Sequence, residues 1–364
     1  VNKMNNSKSF SNPEKKGWYE CVGVMHIHSS DSDGSKSIPE ITEIGGGLGL
    51  DFLFFTDHMI LKSYHRNLEG WYPKGTSKKK TLVVIGYEIN DGNNKNHYLA
   101  YNLNDLVPGE LSAYEYVKEV KKKGGFGIIA HPDEIRDRFT QFPSYPWTCW
   151  ETEDFDGIEL WNQMSEWMEK LNKKNELKMV LSPRRSLVSP TPRILSRWDQ
   201  LNKKRKVVGV GGVDAHAHPI EIGPLRITIF PYKVQFKSLR THILLDKPLS
   251  SDFSKAKLQL FSALKNCNVF TSNYRWGDAK GFKFYAELKG RYFKVGDDIN
   301  FEDGIILGVN TPDAAQIKLV SDGKVIAENN GSNLSYKIDS KGNFRVEVFR
   351  NGKGWIFSNH IRVV

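Results

Sequence analysis

The stretch Gly23-Val24-Met25-His26-Ile27-His28-Ser29-Ser30-Asp31-Ser32-Asp33-Gly34 opens as a short apolar run and closes as a polar turn. Along a β-strand, residues i and i+2 share a face, so His26 and His28 can reach one ion from the same side. Asp33 follows on the loop beyond. The segment reads as the opening of a metal site at the end of a strand. One H-x-H pair would equally suit a strand end or a hydrogen-bonded core, so the rest of the chain decides.

Five further segments keep it company: Phe54-Phe55-Thr56-Asp57-His58, Gly86-Tyr87-Glu88, Asn96-His97-Tyr98, Ile129-Ala130-His131-Pro132 and Gly212-Val213-Asp214-Ala215-His216. All but the Asn96 segment place a ligand-type side chain at, or just after, the end of a short β-rich run. Packing alone gives no reason for that repetition. Strand-like runs are expected at Tyr19 to Met25, Phe52 to Thr56, Thr81 to Tyr87, Tyr98 to Leu103, Gly125 to Ala130, Gly157 to Trp161, Val207 to Val213 and Arg226 to Phe230. Helix-like runs intervene at about Pro39 to Gly47, Ser112 to Lys123, Gln163 to Lys178 and Pro192 to Lys204. Strand and helix in alternation, with polar groups at strand ends, predict an α/β barrel whose functional residues converge on one mouth.

The order of these motifs (H-x-H with S-D-G, T-D-H, a Glu, a His, A-H-P and D-A-H) resembles that of the PHP (polymerase and histidinol phosphatase) metallohydrolases. The resemblance covers about Gly17 to His218. It implies a distorted (β/α)7 barrel. Carried over residue by residue, it also implies His26, His28, Asp33, His58, Glu88, His97, His131, Asp214 and His216 as ligands of two or three divalent ions. Ions with open coordination positions need about three or four protein ligands each, so a set of this size suits three ions better than one. Glu88 and Asp214 are expected to bridge. Imidazole with carboxylate suits zinc, manganese or iron, and leaves the metal open.

Other residues invite narrower readings. His218 is a candidate general acid or substrate contact, weighed against a simple rim residue. Asp57, between Thr56 and His58, is expected to support a metal-bound histidine rather than to bind metal. Glu159 is expected as a pocket wall or as support behind a ligand. His65, His242 and His360 have no motif around them and read as surface or core histidines. The aromatic loop Phe139 to Trp150 is either a lid or a loop packed by its own rings. Arg136, Arg138, Arg184 and Arg185 are candidates for gripping a phosphate.

At 364 residues and 39% hydrophobic content, the chain is long enough for a large barrel and a smaller domain. After a helix at about Phe253 to Asn266 the pattern becomes strands and turns, punctuated by Asp322-Gly323, Lys341-Gly342 and Asn351-Gly352. We therefore expect a metallohydrolase barrel over 1–275 and a small all-β sandwich over 276–364. This second part is similar to the sandwich in the CehA/McbA-like branch of the PHP family. No apolar run approaches the roughly twenty residues of a membrane helix. Three scattered cysteines, Cys21, Cys149 and Cys267, argue against a disulfide framework and fit a reducing compartment. Val1 to Lys16 lacks a hydrophobic signal core, so a cytoplasmic location is expected, although a chain beginning after a removed leader would read the same.

A net charge of +10 favours anionic substrates. The runs Lys78-Lys79-Lys80, Lys121-Lys122-Lys123 and Lys203-Lys204-Arg205-Lys206 fit solvated helix ends better than a nucleic-acid track. The expected activity is hydrolysis of a phosphate ester by a hydroxide bridging two ions, with Glu88, Asp214 and His218 as the catalytic groups. Two alternatives remain at this stage: hydrolysis of a carboxyl ester, amide or carbamate on the same cluster, and a non-catalytic metal-stabilised binding protein.

Overall fold

The structure is a computed structural model that describes residues 17–73, 80–136, 143–222 and 225–364. In chain order the first elements are β1 (Tyr19–Ile27), α1 (Ile38–Gly47), β2 (Phe52–His58), α2 (Lys62–His65), β3 (Gly70–Tyr72), β4 (Thr81–Ile89) and β5 (Tyr98–Tyr101). Next come α3 (Ala113–Lys122), β6 (Phe126–Ile129), β7 (Gly157–Asn162), α4 (Gln163–Lys170), α5 (Glu176–Leu181), α6 (Pro192–Lys204) and β8 (Val208–Ala215). Seven of these strands close a ring: β1 pairs with β2, β2 with β4, β4 with β5, β5 with β6, β6 with β7, β7 with β8, and β8 with β1. The result is a mixed α/β fold with a closed barrel and many extra strands.

All ring pairings are parallel except those of β5, which is antiparallel to both neighbours. The cause is the link. Residues 90–97 are too few for the crossover a parallel strand requires, so the chain turns straight back. An antiparallel β5 begins at the end of the barrel where the parallel strands finish. That is why His97 precedes its strand whereas the other motif residues end theirs.

Ring strands are buried on both faces and read as near-continuous apolar runs, as parallel barrel strands must. One face fills the ring. Phe54 of β2 and Tyr101 of β5 are not ring neighbours, yet their rings meet edge-on at 5.3 Å. Phe261, from α8 (Phe253–Lys265), packs against Phe54 at 5.6 Å and Phe126 at 5.4 Å. The other face carries Leu53, Phe55, Val83 and Ile85 into a second cluster with Ile38 and Ile41 of α1, Tyr116 and Val117 of α3, and Trp198 of α6.

Several sequence expectations are corrected. The eighth run, Arg226 to Phe230, is not a barrel strand; β9 (Pro219–Ile222) and β10 (Leu225–Thr228) form a separate hairpin. The helix expected over Gln163 to Lys178 is two helices, because the Asn172-Lys173-Lys174-Asn175 turn interrupts it. The runs Lys121-Lys122-Lys123 and Lys203-Lys204 close α3 and α6, where they complement the helix dipoles.

Beyond α7 (Tyr232–Gln235), β11 (Leu239–Leu245) pairs with the first half of β1, and β12 (Val269–Asn273) pairs with β11. The remaining strands are β13 (Lys283–Leu288), β14 (Arg291–Lys294), β15 (Asp298–Ile299), β16 (Ile306–Ser321), β17 (Lys324–Lys337), β18 (Gly342–Arg350), β19 (Lys353–Ser358) and β20 (Ile361–Val363). The sequence pattern suggests short strands at 304–309, 316–321, 324–328 and 334–338; the first two are the single long strand β16 and the last two the single long strand β17. The first half of β16 pairs with β13 and its second half with β18, across a register break between Asn310 and Ala315. A separate apolar core, including Phe284, Leu307, Leu319, Val346 and Trp355, lies among these strands.

β12 pairs with β19, and two buried polar clusters are among the further contacts that join this region to the barrel. Asp199 of α6 accepts from Arg345 of β18 at 2.7 and 3.0 Å and lies 2.8 Å from His360 Nε2. Asn359 both accepts from Gly209 N and donates to Gly209 O, each at 2.8 Å. His242 is a core histidine, held between Glu20 at 2.6 Å and Ser272 at 2.7 Å. The three cysteines are buried free thiols. Among the described residues, no helix is long and apolar enough to cross a membrane.

Candidate metal centre

Strand parity carries the barrel interior directly into the site. Phe52 and Phe54 point inward on β2, and so His58 does; Leu82 and Val84 lead to Glu88, and Val208 and Val210 to Asp214. On β1 this parity fails. Cys21 and Met25 face the interior, which would turn His26 and His28 outward. A bulge between Met25 and Ile27, with His26 at φ 65°, reverses the alternation and brings both histidines inside. The pair therefore does not rest on simple strand periodicity, because β1 ends at Ile27 and His28 lies beyond it. His131 and Asp214 also adopt positive φ, 27° and 53°. Three non-glycine residues held there concentrate backbone strain at one place.

Glu88 sits at the centre. Its Oε2 is 3.3 Å from His26 Nε2, 3.3 Å from His28 Nε2 and 3.4 Å from His58 Nδ1. Its Oε1 faces a different pair, His97 Nδ1 at 2.7 Å and His131 Nε2 at 3.5 Å. Asp214 Oδ1 lies 3.5 Å from His26 Nε2, 3.4 Å from His28 Nε2 and 3.5 Å from His216 Nδ1. Asp33 closes the exposed side, with Oδ2 3.3 Å from His216 Nε2 and 3.6 Å from His58 Nε2. The structure thus brings together all nine residues expected from the motifs, in three adjoining groups, the first two sharing His28: His28, Asp33, His58 and His216; His26, His28 and Asp214; and Glu88, His97 and His131.

The donor set fits metal ions. Both ring nitrogens of His28, Nε2 of His97 and Nδ1 of His131 are buried without a hydrogen-bond partner. Most contacts are too long for good hydrogen bonds. They match the separation of about 3.3–3.6 Å between two ligand atoms that share a tetrahedral ion at about 2.0–2.2 Å. Burial alone would raise the Glu88 and Asp214 carboxyls, but His26 and the surrounding imidazoles outweigh it and hold both well below the usual range. Burial pushes His28 down, and the neighbouring carboxylates of Asp214 and Glu88 reverse this, lifting it to about 10. His131 rises to about 9, where Glu134 and Glu88 outweigh its burial. His58 and His218 move down, chiefly by burial.

Supporting residues surround the cluster. Glu159 Oε1 is 2.8 Å from His26 Nδ1, so it turns Nε2 of that ring toward Glu88. Its other oxygen accepts from His131 N at 2.8 Å and Asn162 Nδ2 at 2.7 Å. Asp57 has a different task from the one expected. It accepts from Ser29 N, Ser29 Oγ and Ser32 Oγ at 2.7, 2.8 and 2.7 Å, and so fixes the loop that presents Asp33. Tyr232, which the sequence did not single out, places its hydroxyl 2.8 Å from the His28 carbonyl and 3.0 Å from that of His216.

A cavity of about 680 Å³ opens over the cluster and is lined in part by Asp33, His58, His216, His218, Arg136 and Tyr145. His218 stacks on His216 with ring centroids 5.0 Å apart. Arg136 is the arginine that reaches this cavity; it pairs with Glu134, and its Nε is buried without a partner. Arg138 lies outside the described residues, and Arg184 donates to the Lys237 carbonyl at 3.0 Å. Of the expected aromatic loop, 139–142 lie outside the described residues. The remainder is pinned: Trp147 is buried against Tyr98 and Tyr116, and Tyr145 stacks on His97 at 4.9 Å. It forms a wall.

No family model and no curated protein matches the chain. Among solved structures it is similar to a two-domain protein from Bacteroides vulgatus containing a predicted PHP-like metal-dependent phosphoesterase, with 14% identity over 94% of this chain and 96% of that one, TM-score 0.45. PsfC from Pseudomonas syringae aligns at 14% identity over 65% of this chain and 87% of that one, TM-score 0.40. A protein from Bifidobacterium adolescentis, provisionally named a metal-dependent phosphoesterase, aligns at 14% over 57% and 92%, TM-score 0.33. At such values the functional assignment rests on the side chains of the site.

Proposed function

We propose that this protein is a metal-dependent phosphoesterase of the PHP type, with a distorted (β/α)7 barrel over 1–275 and an accessory β-sandwich over 276–364. The observation that carries the reading is Glu88: one buried carboxylate with five imidazoles within 3.5 Å, its two oxygens facing different histidines. Such a carboxylate is placed to hold two ions at once, and Asp214 to join its neighbours. We assign two or three divalent ions, zinc, manganese or iron, to the nine residues. When bound, they would supply an activated water and neutralise charge on a phosphoryl group.

The chain's own residues supply the rest. Asp33 and His58 are the ligands most open to solvent, 46% and 33% exposed, so the phosphoryl group would enter beside them. Arg136, with its unpartnered Nε in the cavity wall, would take a non-bridging oxygen. His218, at the rim and stacked on His216, would hand a proton to the leaving oxygen. Elemental analysis of dialysed protein should find two or three ions per chain. Cleavage of p-nitrophenyl phosphate should exceed that of p-nitrophenyl acetate or aryl carbamates, with inhibition by inorganic phosphate. Less than one ion without gain on reconstitution, or a preference for the carbonyl substrates, would overturn the proposal.

A further inference from the structure

The cavity over the cluster has a second wall of opposite chemistry, which the hydrolysis of a phosphate ester does not itself require. α4 follows β7 without a break, with Asn162 as its N-cap accepting from Ser165 N. Met164, Trp167, Met168 and Leu171 recur at i, i+3, i+4 and i+7, one face of a helix and the residue that ends it, and all four line the cavity. Ile229 and Phe230 complete this wall from the segment after β10. Phe230 meets Trp167 edge-on at 4.7 Å.

The wall is fixed in place. Trp167 Nε1 donates to the Met179 carbonyl at 3.1 Å, and Glu166, on the far side of α4, accepts from Trp161 Nε1 at 2.6 Å and Val188 N at 2.7 Å. The two chain segments that build it also carry the site. β7 holds Glu159 behind His26 and runs into α4; β8 holds Asp214 and leads through His216 and His218 to Phe230, with Ile229 N bonded to the His218 carbonyl at 2.9 Å. At about 680 Å³ the cavity is far larger than a phosphate ion.

We infer that the site takes phosphate esters whose leaving group is a ring-containing apolar alcohol, seated against Met164, Leu171 and Ile229, the partly exposed members of the wall, with Trp167, Met168 and Phe230 packed behind them, while the phosphoryl group lies at the cluster. The phosphoryl half rests on the function proposed above; the apolar half does not. Methionines and edge-on aromatic rings adapt to flat ring systems better than to short polar alcohols. In hydrolysis the water oxygen bonds to phosphorus as the bond from phosphorus to the ester oxygen breaks. The leaving oxygen keeps the electron pair and takes up a proton, giving the apolar alcohol and inorganic phosphate.

The test separates the two halves. Calorimetric titration of the protein without added metal should show that 1-naphthalenemethanol binds. Trp167→Ala should weaken that binding by roughly tenfold or more. Met164→Gln and Leu171→Gln, at partly exposed positions, provide the same reading if Trp167→Ala fails to fold. With metal-loaded protein, kcat/KM for 1-naphthyl phosphate should exceed that for glycerol phosphate by at least about tenfold, and the variants should erase the preference. Naphthalenemethanol binding that the variants abolish, with no phosphate ester cleaved, would support the apolar subsite and refute the phosphoesterase reading. Phosphate esters cleaved without preference, and no naphthalenemethanol bound, would overturn the inference while leaving the phosphoesterase reading intact.

Discussion

A single carboxylate with five imidazole neighbours makes Glu88 the residue whose charge matters most. In Glu88→Gln the shape persists but the negative charge shared among His26, His28, His58, His97 and His131 disappears. We expect metal content to drop and the rate to fall by at least on the order of 10²-fold, with the far-ultraviolet circular dichroism unchanged. Near wild-type turnover at full metal content would place the bridge elsewhere. Gly212 matters for a different reason. A Cβ at this position would lie 1.6 Å from Glu159 Oε1, so an alanine must push Glu159 off His26. Gly212→Ala should therefore weaken metal binding by about 10–100-fold, measured by competition with a chelating dye. The double variant Gly212→Ala with Glu159→Ala should recover melting temperature but not affinity, because it removes the clash without restoring the hydrogen bond to His26.

Elements show what the sequence discloses and what it withholds. The seven ring strands could be read from apolar runs such as Phe52-Leu53-Phe54-Phe55, and the nine candidate ligands from motif order. The bulge at His26 could not, because alternation across Met25, His26 and Ile27 has no local mark of a register shift; it becomes visible only when β2 and β8 pair with β1. Similarly, Asn329-Asn330-Gly331 looks like a turn, yet β17 runs through it paired with Ala315, Gln316 and Ile317, because pairing between the strands overrides local turn preference; Thr311-Pro312-Asp313 falls instead at the register break of β16. The apolar face of α4 carried a legible signal in the 3.6-residue spacing of Met164, Trp167, Met168 and Leu171. Its spacing places it on one face of a helix, but only the end of β7 places that face over the cluster. Tyr232 left no signal, since its contacts are to carbonyls distant in sequence.

At the scale of the whole molecule, the C-terminal strands are tied to the barrel through charge. Arg345 and Asp199 are both buried, so removing one partner strands the other in a low-dielectric interior. Arg345→Met should lower the unfolding free energy by about 3–5 kcal/mol in urea, and the added change Asp199→Asn should return part of it. His360 makes the same junction sensitive to acid. Its pKa lies below the ordinary 6.5, because burial outweighs the attraction of Asp199. As pH falls through 6.5 the unfolded chain takes up a proton here while the folded one does not, so stability that is complete above this pH is lost below it. The loss from one such group is at most about 1.4 kcal/mol per pH unit. Asp199, also depressed, falls from an ordinary value of 3.8 and contributes its own loss only below that pH. Between pH 6.5 and 5, the difference between wild type and His360→Gln therefore isolates the histidine. The variant should lose stability less steeply with acid than wild type in urea titrations across that window. Parallel slopes would mean that His360 takes up its proton equally in the folded and unfolded chains, so the junction would contribute nothing to acid sensitivity.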